Sequence, residues 1–339
     1  MENPTPIHIL SGFLGSGKTT LLAGAIDYYT GLGRKPAVIM NEIGEVNLDG
    51  LLIDSTIPMT EMLSGCICCT IQGDLGLTIR NLMLEYKPDV IFIEATGAAN
   101  PMEILDGVAD ASLLLETVIK SVITVVDAPH FLQLKQEGKG KTFRLMVDQI
   151  RCATLLILNK IDLVRTPDLA ELEGALYEIN KFAPIYGTVF CQIDMNLLDS
   201  CEQDSGNEHA KCINDHGIHE HNGDDGHSCD HDHPEKYYVH RIIKKHHHSH
   251  DHVMVYTHYF RHAIDKAKFE EIINELPQEV YRAKGIMVFS DAPDRVMFQY
   301  AYRHSNFLNI APKVEVPNVA VFIGENFSKE KLQTALGEL

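Results

Sequence analysis

The chain has 339 residues, of which 45% are hydrophobic, and this is enough for one sizeable core and a smaller second domain. Its 47 acidic residues outnumber the 29 basic ones, which gives a formal net charge of −18. This charge argues against nucleic acid as a partner, because binding a phosphate backbone requires a basic excess. The first ten residues lack the basic start of a signal peptide, and no segment reaches the ~20 apolar residues of a bilayer span. We expect a cytoplasmic protein that makes no membrane contact.

The first motif connects a predicted buried strand at residues 7–10 to a helix predicted from Thr20 onward. Between them, GFLGSGKT matches the phosphate-binding pattern G-x-x-x-x-G-K-[ST]. Glycines let backbone N–H groups point at phosphate oxygens, Lys18 can reach the β- and γ-phosphates, and the Thr19 hydroxyl can ligate Mg²⁺. The residues expected to bind the nucleotide here are Gly12, Gly15, Ser16, Gly17, Lys18, Thr19 and Thr20. The motif predicts a nucleoside triphosphate site, and an ordinary Gly-rich turn is the alternative.

Two acidic residues follow later strands of the same predicted sheet. An apolar run at residues 37–40 opens into an acidic loop that contains Glu42, and the run at residues 90–93 ends at Glu94. Carboxylates at strand ends can hold Mg²⁺ directly or through water, and Gly97 can offer its N–H to the γ-phosphate. We therefore expect Lys18, Glu42 and Glu94 to assist hydrolysis. For Glu42, a merely solvated acidic loop is the alternative.

Three cysteines, Cys66, Cys68 and Cys69, lie between a predicted strand at residues 59–63 and a predicted amphipathic helix at residues 72–86. Adjacent cysteines make poor disulfide staples, which indicates a reducing compartment. Thiolates in a short loop before a helix can hold Zn²⁺, Co²⁺ or Cu⁺. No second C-x-x-C pair is present, so the ligand set is incomplete, which implies either an open position or a fourth ligand from elsewhere in the chain. Buried apolar cysteines or a redox pair are the alternatives.

A motif for the base follows the strand predicted at residues 153–158. Asn159, Lys160 and Asp162 form the sequence N-K-x-D, in which the Asp162 carboxylate can accept hydrogen bonds from guanine N1–H and the N2 amine. Asn159 and Lys160 brace the loop and the ring. Adenine lacks this donor pair, so the motif predicts GTP, selected by an otherwise unpaired buried carboxylate.

Asp127, after a strand at residues 121–126, is interpreted as a helix N-cap, with a catalytic acid as the alternative.

Strands and helices alternate over residues 1–200, which predicts an α/β fold with a doubly wound, mainly parallel sheet and its ligand at the carboxyl edge. The last helix and strand of this domain are predicted at residues 168–180 and 186–193.

Residues 201–252 hold 13 of the 18 histidines with 11 acidic and 5 basic residues. This composition predicts a disordered His/Asp-rich metal-binding linker, and a solvating tether is the alternative. Its densest part supplies His246, His248 and His250 as candidate ligands.

A small α+β domain is predicted for residues 253–339. Strands are expected at residues 253–260, 280–289, 296–302 and 319–323, and helices at residues 269–276 and 329–336. Arg282 and Lys284 are two cations in an apolar setting. They belong either to the exposed face of a strand or to a contact with nucleotide or partner.

Five motifs, GFLGSGKTT, NEIGEVNLD, GCICCT, EATG and NKID, occur in this order, and together the chain resembles the CobW family of P-loop GTPases, relatives of UreG and HypB. The resemblance extends from about residue 5 to 195 and resumes at YRAKG. It implies a GTP-dependent metallochaperone in which Cys66 and Cys68, with Cys69, carry zinc or cobalt beside the nucleotide. Hydrolysis would then pass the metal to an apo-metalloprotein client.

Two other functions stay open at this point. One is a metal-storage protein whose linker buffers Zn²⁺ or Ni²⁺, and the other is a regulatory GTPase with structural zinc. A homo-oligomer is also compatible with the motifs.

Overall fold

The computed structural model describes residues 4–41, 57–61, 71–138, 140–200, 240–242, 253–301, 303–312, 315–325 and 327–339. The first sheet contains β1 (Thr5–Ser11), β2 (Pro36–Asn41), β3 (Met59–Glu61), β4 (Val90–Ala95), β5 (Thr117–Asp127), β6 (Leu155–Asn159), β7 (Ile185–Thr188) and β8 (His240–Ile242). Its helices are α1 (Lys18–Gly31), α2 (Ile71–Tyr86), α3 (Pro101–Ser112), α4 (Ala128–Glu137), α5 (Lys141–Arg151), α6 (Thr166–Ile179) and α7 (Asn196–Ser200). A 3₁₀ turn covers Ile161–Leu163.

The strand order of the first sheet is β3-β2-β4-β1-β5-β6-β7-β8, and β1 to β7 are all parallel. Every residue of β4 and β6 is buried, as expected for strands covered by helices on both faces. This arrangement confirms the predicted doubly wound α/β sheet.

The register of the parallel strands brings their carboxyl ends to one edge of the sheet. Met40 lies beside Glu94, and Asn159 lies between Asp127 and Thr188. Residues that are far apart in the sequence therefore meet at this edge.

Two predictions about the end of this sheet are wrong. The strand predicted at residues 186–193 ends at Thr188, because Phe190 and Cys191 have left-handed backbones that cannot continue a strand. The linker was expected to be disordered throughout, but His240–Ile242 form β8, which pairs antiparallel with β7. The valine and two isoleucines that surround Arg241 give this short stretch the β-propensity that the rest of the linker lacks.

The second sheet is antiparallel, with the order β12-β11-β10-β13-β9. Its strands are β9 (Val253–Tyr259), β10 (Val280–Phe289), β11 (Ala292–Ala301), β12 (His304–Ile310) and β13 (Val319–Glu325), and its helices are α8 (Lys266–Asn274) and α9 (Lys329–Gly337). The sheet and its helices enclose an aromatic cluster: Phe269, Phe289, Phe298, Phe307 and Phe322. The predicted α+β architecture of the C-terminal region is confirmed.

The two sheets share one apolar core, because Val255 and Val321 of the second sheet cluster with Ile104 of α3. Polar contacts surround this core. Arg282 on β10 forms an ion pair with the buried Asp106 of α3, and Lys284 bonds to Asp110, one turn further along, at 2.5 Å. The two cations that the sequence left unassigned therefore contact α3.

A tyrosine adds a second polar contact between the sheets. The Tyr259 hydroxyl accepts a hydrogen bond from the backbone N–H of Thr117 at 2.9 Å and donates a hydrogen bond to the Thr117 carbonyl at 2.7 Å.

Within the described ranges, the helices are all too short or too polar to cross a lipid bilayer.

Candidate nucleotide and metal site

Residues 12–19, the phosphate loop, turn β1 into α1 through glycines with left-handed backbones. Gly12 has a φ of 130° and Gly17 a φ of 113°. A Cβ atom on Gly12 would lie 2.2 Å from the carbonyl oxygen of Val125, and one on Gly17 would lie 2.6 Å from Nδ2 of Asn159. Both the conformation and the close backbone approach therefore require glycine at these positions.

Two polar side chains of the phosphate loop lie where a triphosphate is expected. Lys18 is 6% exposed, and its Nζ donates a hydrogen bond to the carbonyl of Phe13 at 3.1 Å. The Ser16 hydroxyl is buried and has no hydrogen-bond partner among the described residues. Gly15 and Thr20 are exposed beside them. A buried ammonium and hydroxyl at the start of a helix suit an anionic ligand.

The Thr19 hydroxyl donates a hydrogen bond to Oε1 of Glu94 at 3.0 Å, and the Glu94 side chain is buried. Thr19 lies in the first turn of α1 and Glu94 lies near the end of β4, so these two oxygens meet only in the folded chain. Hydroxyl and carboxylate oxygens are the ligands that Mg²⁺ prefers, together with phosphate oxygens. Thr19 and Glu94 therefore fit the predicted Mg²⁺ ion, which would neutralise phosphate charge.

The loop after β4 packs against the phosphate loop. A Cβ atom on Gly97 would lie 2.6 Å from the backbone nitrogen of Leu14. The buried Gln149 of α5 donates hydrogen bonds to the carbonyls of Gly97 and Ala99 at 3.2 and 3.4 Å. Sequence reasoning missed Gln149, because no motif surrounds it and its partners lie about fifty residues away. The structure thus brings Gly97 beside the residues expected to bind the γ-phosphate.

The side chain of Asn159 connects the phosphate loop to the loop after β7. Its Nδ2 donates to the carbonyl of Ser16 at 2.8 Å. Its Oδ1 accepts hydrogen bonds from Oγ1 of Thr188 at 3.1 Å and from the N–H of Cys191 at 2.9 Å. Burial raises the pKa of the Cys191 thiol to about 12, so the thiol stays protonated at neutral pH and packs beside Gly17.

An ion pair between Lys160 and Asp127 connects the carboxyl ends of β5 and β6, beside Asn159. Lys160 has a left-handed backbone with a φ of 63°, and its Nζ donates to Oδ2 of Asp127 at 2.6 Å. The other oxygen of Asp127 accepts a hydrogen bond from the N–H of His130 at 2.9 Å, which confirms the predicted N-cap of α4.

Asp162 is exposed in the 3₁₀ turn, whereas the sequence predicted a buried carboxylate. The turn follows the sheet edge directly, and exposure leaves this carboxylate accessible to a base.

The predicted transition-metal ligands lie outside the described residues. These are Cys66, Cys68, Cys69, His246, His248 and His250, and the predicted Mg²⁺ ligand Glu42 lies outside them too. In the part of the chain that the structure describes, no group of three or more His, Cys, Asp or Glu side chains is placed to hold a metal ion. β3 ends at Glu61 and α2 begins at Ile71, so the cysteines fall between these two elements in the sequence.

Comparison with known proteins gives two family matches. Residues 6–187 match the description "CobW/HypB/UreG, nucleotide-binding domain", and residues 254–339 match "Cobalamin synthesis protein cobW C-terminal domain". These are the matches that the motif resemblance predicted.

Three relatives have names that mention zinc. Zinc-regulated GTPase metalloprotein activator 1 of Dictyostelium discoideum is 34% identical, over 52% of this chain and 44% of that protein. Zinc chaperone YjiA of Escherichia coli is 32% identical over 58% and 61%, and zinc chaperone CobW of Pseudomonas aeruginosa is 31% identical over 50% and 52%. The matched region therefore spans about half the length of these relatives.

Proposed function

The chain belongs to the CobW/HypB/UreG family, and on that premise we propose that it is a GTP-dependent metallochaperone. It binds GTP with Mg²⁺ at the carboxyl edge of the first sheet. It carries zinc, with cobalt as the alternative cargo, on Cys66, Cys68 and Cys69. Hydrolysis of GTP passes the metal to an apo-metalloprotein client.

The observation that carries this proposal is the convergence of three sequence motifs at one sheet edge. Thr19 of the phosphate loop bonds to Glu94 at 3.0 Å, and Asn159 of the base motif bonds to the Ser16 carbonyl at 2.8 Å. A triphosphate, a divalent cation and a guanine base each have a matching group there. Three chemically different groups that meet in this way support a nucleotide site better than any single motif does.

The packing of α2 on α3 supports a coupling between nucleotide and metal. The segment that holds Cys66 to Cys69 leads directly into α2, and the loop that holds Gly97 leads into α3. The two helices touch closely, since a Cβ atom on Gly107 of α3 would lie 3.0 Å from the Leu75 side chain of α2. A shift of Gly97 on loss of the γ-phosphate would be transmitted through this contact to the start of α2.

The names of the relatives favour zinc over cobalt as the cargo. Two of them are called zinc chaperones, and the third is called a zinc-regulated activator of metalloproteins. Three soft thiolate ligands bind Zn²⁺ well and Mg²⁺ poorly, so the two cations would separate between the cysteines and Thr19.

The decisive experiment measures zinc affinity by competition with a chromogenic chelator, in the presence of a non-hydrolysable GTP analogue, GDP or no nucleotide. The protein carries serine in place of every histidine and cysteine of residues 201–239 and 243–252. This silenced linker preserves the chain length and β8. Tight zinc binding is expected only with the GTP analogue, and Cys66→Ser or Cys68→Ser should abolish it while GTP still binds.

The same titration separates the rival functions. A metal-storage protein would lose most of its zinc when the linker is silenced, and a structural zinc site would bind equally in all three nucleotide states. The matched control is Cys152→Ala, because burial raises the pKa of this thiol to about 12 and it should not bind metal. Equal zinc affinity in the three states would contradict the coupled mechanism.

Selection of GTP has its own test at Asp162. Asp162→Ala should sharply weaken GTP binding, and Asp162→Asn should admit xanthosine triphosphate, whose base carries a carbonyl acceptor in place of the guanine N2 amine. Asp168→Ala, which removes a nearby carboxylate already paired with Arg165 at 2.8 Å, is the control. Equal affinities of the unmodified chain for ATP and GTP would contradict the assignment.

A further inference from the structure

We propose that Phe190 is a nucleotide-binding residue whose ring stacks on the guanine base. The inference rests on the proposed GTP site and adds a residue to it that no sequence motif includes. Phe190 follows β7 at the same sheet edge as Asn159 and Lys160.

The loop after β7 is fixed on both sides of Phe190 by one acceptor. Oδ1 of Asn159 receives hydrogen bonds from the Thr188 hydroxyl and from the N–H of Cys191. The buried Cys191 also lies against the phosphate loop, where its Sγ would be 2.6 Å from a Cβ atom on Gly17. Phe190 is therefore held in place by the residues that form the nucleotide site.

The backbone at this position is unfavourable and the side chain is exposed. Phe190 and Cys191 have φ values of 53° and 54°, in the left-handed region that non-glycine residues rarely adopt. Residues in such sparsely populated conformations cluster at ligand-binding sites. The Phe190 side chain is 66% exposed, although a phenylalanine gains most of its stabilising free energy by burial. A left-handed backbone and an exposed aromatic ring thus occur together on a loop that is bonded to Asn159 of the base motif, and this combination points to a ligand contact.

The base needs such a ring because its other contacts leave one face open. The Asp162 carboxylate can bind only the edge of guanine. Lys160 is held by its 2.6 Å bond to Asp127, so its hydrocarbon stem can cover one face of the base. Phe190, on the neighbouring strand end, is assigned to the opposite face. Stacking on an aromatic side chain is largely independent of which base is bound, and the carboxylate supplies the selectivity.

Fluorescence can test this contact directly, because the chain contains no tryptophan. In a Phe190→Trp variant, saturating GTP or GDP should quench the single indole, because guanine quenches tryptophan on contact. The matched control is Leu308→Trp on β12 of the second sheet, a residue that is 54% exposed. Its emission should not change.

A second variant measures the contribution to binding. Phe190→Ala should weaken GTP and GDP about tenfold or more and leave the affinity for inorganic triphosphate unchanged. Equal weakening of inorganic triphosphate would show a structural role in the phosphate loop, and it would overturn the proposal. Unquenched emission of Phe190→Trp at nucleotide saturation would also overturn it, while the GTP site would stand. If the unmodified chain binds no guanine nucleotide by calorimetry, the proposed function itself fails.

Discussion

In the eight-stranded sheet, the polar pairs of the candidate site lie at the carboxyl ends of parallel strands, where Glu94 pairs with Thr19 and Lys160 pairs with Asp127. In the five-stranded sheet they lie on the face of a strand, where Arg282 and Lys284 reach across to α3. Parallel topology gathers residues at an edge that is open to ligands, whereas the antiparallel sheet presents a face that another element covers.

This difference assigns separate tasks to the two sheets. The first sheet builds the candidate site, and the second holds α3, the helix that begins at Pro101, directly after the loop that contains Gly97, and ends beside β5. The shared apolar core makes this contact extensive. Substitutions at the carboxyl edge of the first sheet should therefore change nucleotide binding, and those in the second sheet should change stability.

The largest effect is expected at two glycines, Gly17 of the phosphate loop beside the first sheet and Gly324 of β13 in the second sheet. Gly17→Ala would place a Cβ atom 2.6 Å from Asn159, and we expect roughly 100-fold weaker GTP binding from the strained loop. Gly324→Ala is the counterpart in β13, where the new Cβ would lie 2.2 Å from the Glu279 carbonyl. It should lower the thermal midpoint and leave the nucleotide affinity of the folded protein unchanged. Calorimetric titration and thermal unfolding check both variants.

A smaller effect is expected at the contact between the sheets. Arg282→Met removes the guanidinium that pairs with Asp106, a carboxylate that is only 3% exposed. The loss should lower the unfolding free energy by about 1–3 kcal/mol. The cost stays in this range because Arg282 is itself partly exposed, so water already weakens the pair. The control is Arg165→Met, whose pair with Asp168 lies at the surface and should contribute under about 1 kcal/mol. Urea unfolding measures both. Equal costs would show that α3 does not depend on the second sheet.

The parts of the fold that sequence predicted are those with a strong local pattern. The strand, loop and helix around the phosphate loop follow from glycine spacing and an apolar run. By contrast, α3 is not predicted, because nine of its twelve residues are buried and two of these, Asp106 and Ser112, are polar, so polar residues do not mark its exposed face. The exposed edge strand β12 lacks an alternating pattern for the opposite reason.

The site shows the same division between local and distant signals. Motifs predicted Lys18, Glu94 and Asn159 as site residues, because each lies within a short recognisable sequence. Phe190, which we propose as a base-stacking residue, has no motif, since that proposal depends on a left-handed backbone that only the folded loop reveals. The partner of Arg282 lies 176 residues away, and no pattern in the sequence connects the two.

A pH-dependent effect should distinguish a histidine of each sheet. Burial in the first sheet lowers the pKa of His8 to about 3, opposed by the nearby charge of Asp199. The unfolded chain binds a proton near pH 6.5, so His8 contributes full stability above that pH and progressively less as the pH falls toward 3. At pH 5 the loss is about 2 kcal/mol.

The control for that titration is His258 on β9. Burial also lowers the pKa of His258, but this side chain is less completely buried than His8. His8→Gln should flatten the acid side of the stability profile between pH 6.5 and 4, and His258→Gln should flatten it less. Unfolding free energies measured at several pH values check this order. An unchanged profile for His8→Gln would show that other groups control the acid sensitivity of the first sheet.

The smallest expected effect compares two lysine–aspartate pairs of similar length. Lys160 bonds to Asp127 at 2.6 Å beside the base site, and Lys284 bonds to Asp110 at 2.5 Å between the sheets. Asp127→Asn keeps an N-cap for α4 but removes the charge that holds Lys160, so GTP should bind about two- to fivefold more weakly with little loss of stability. Asp110→Asn should leave GTP binding unchanged. Calorimetric titration of both variants decides the point, because a loss of affinity in Asp110→Asn alone would mean that the second sheet controls the base site through α3.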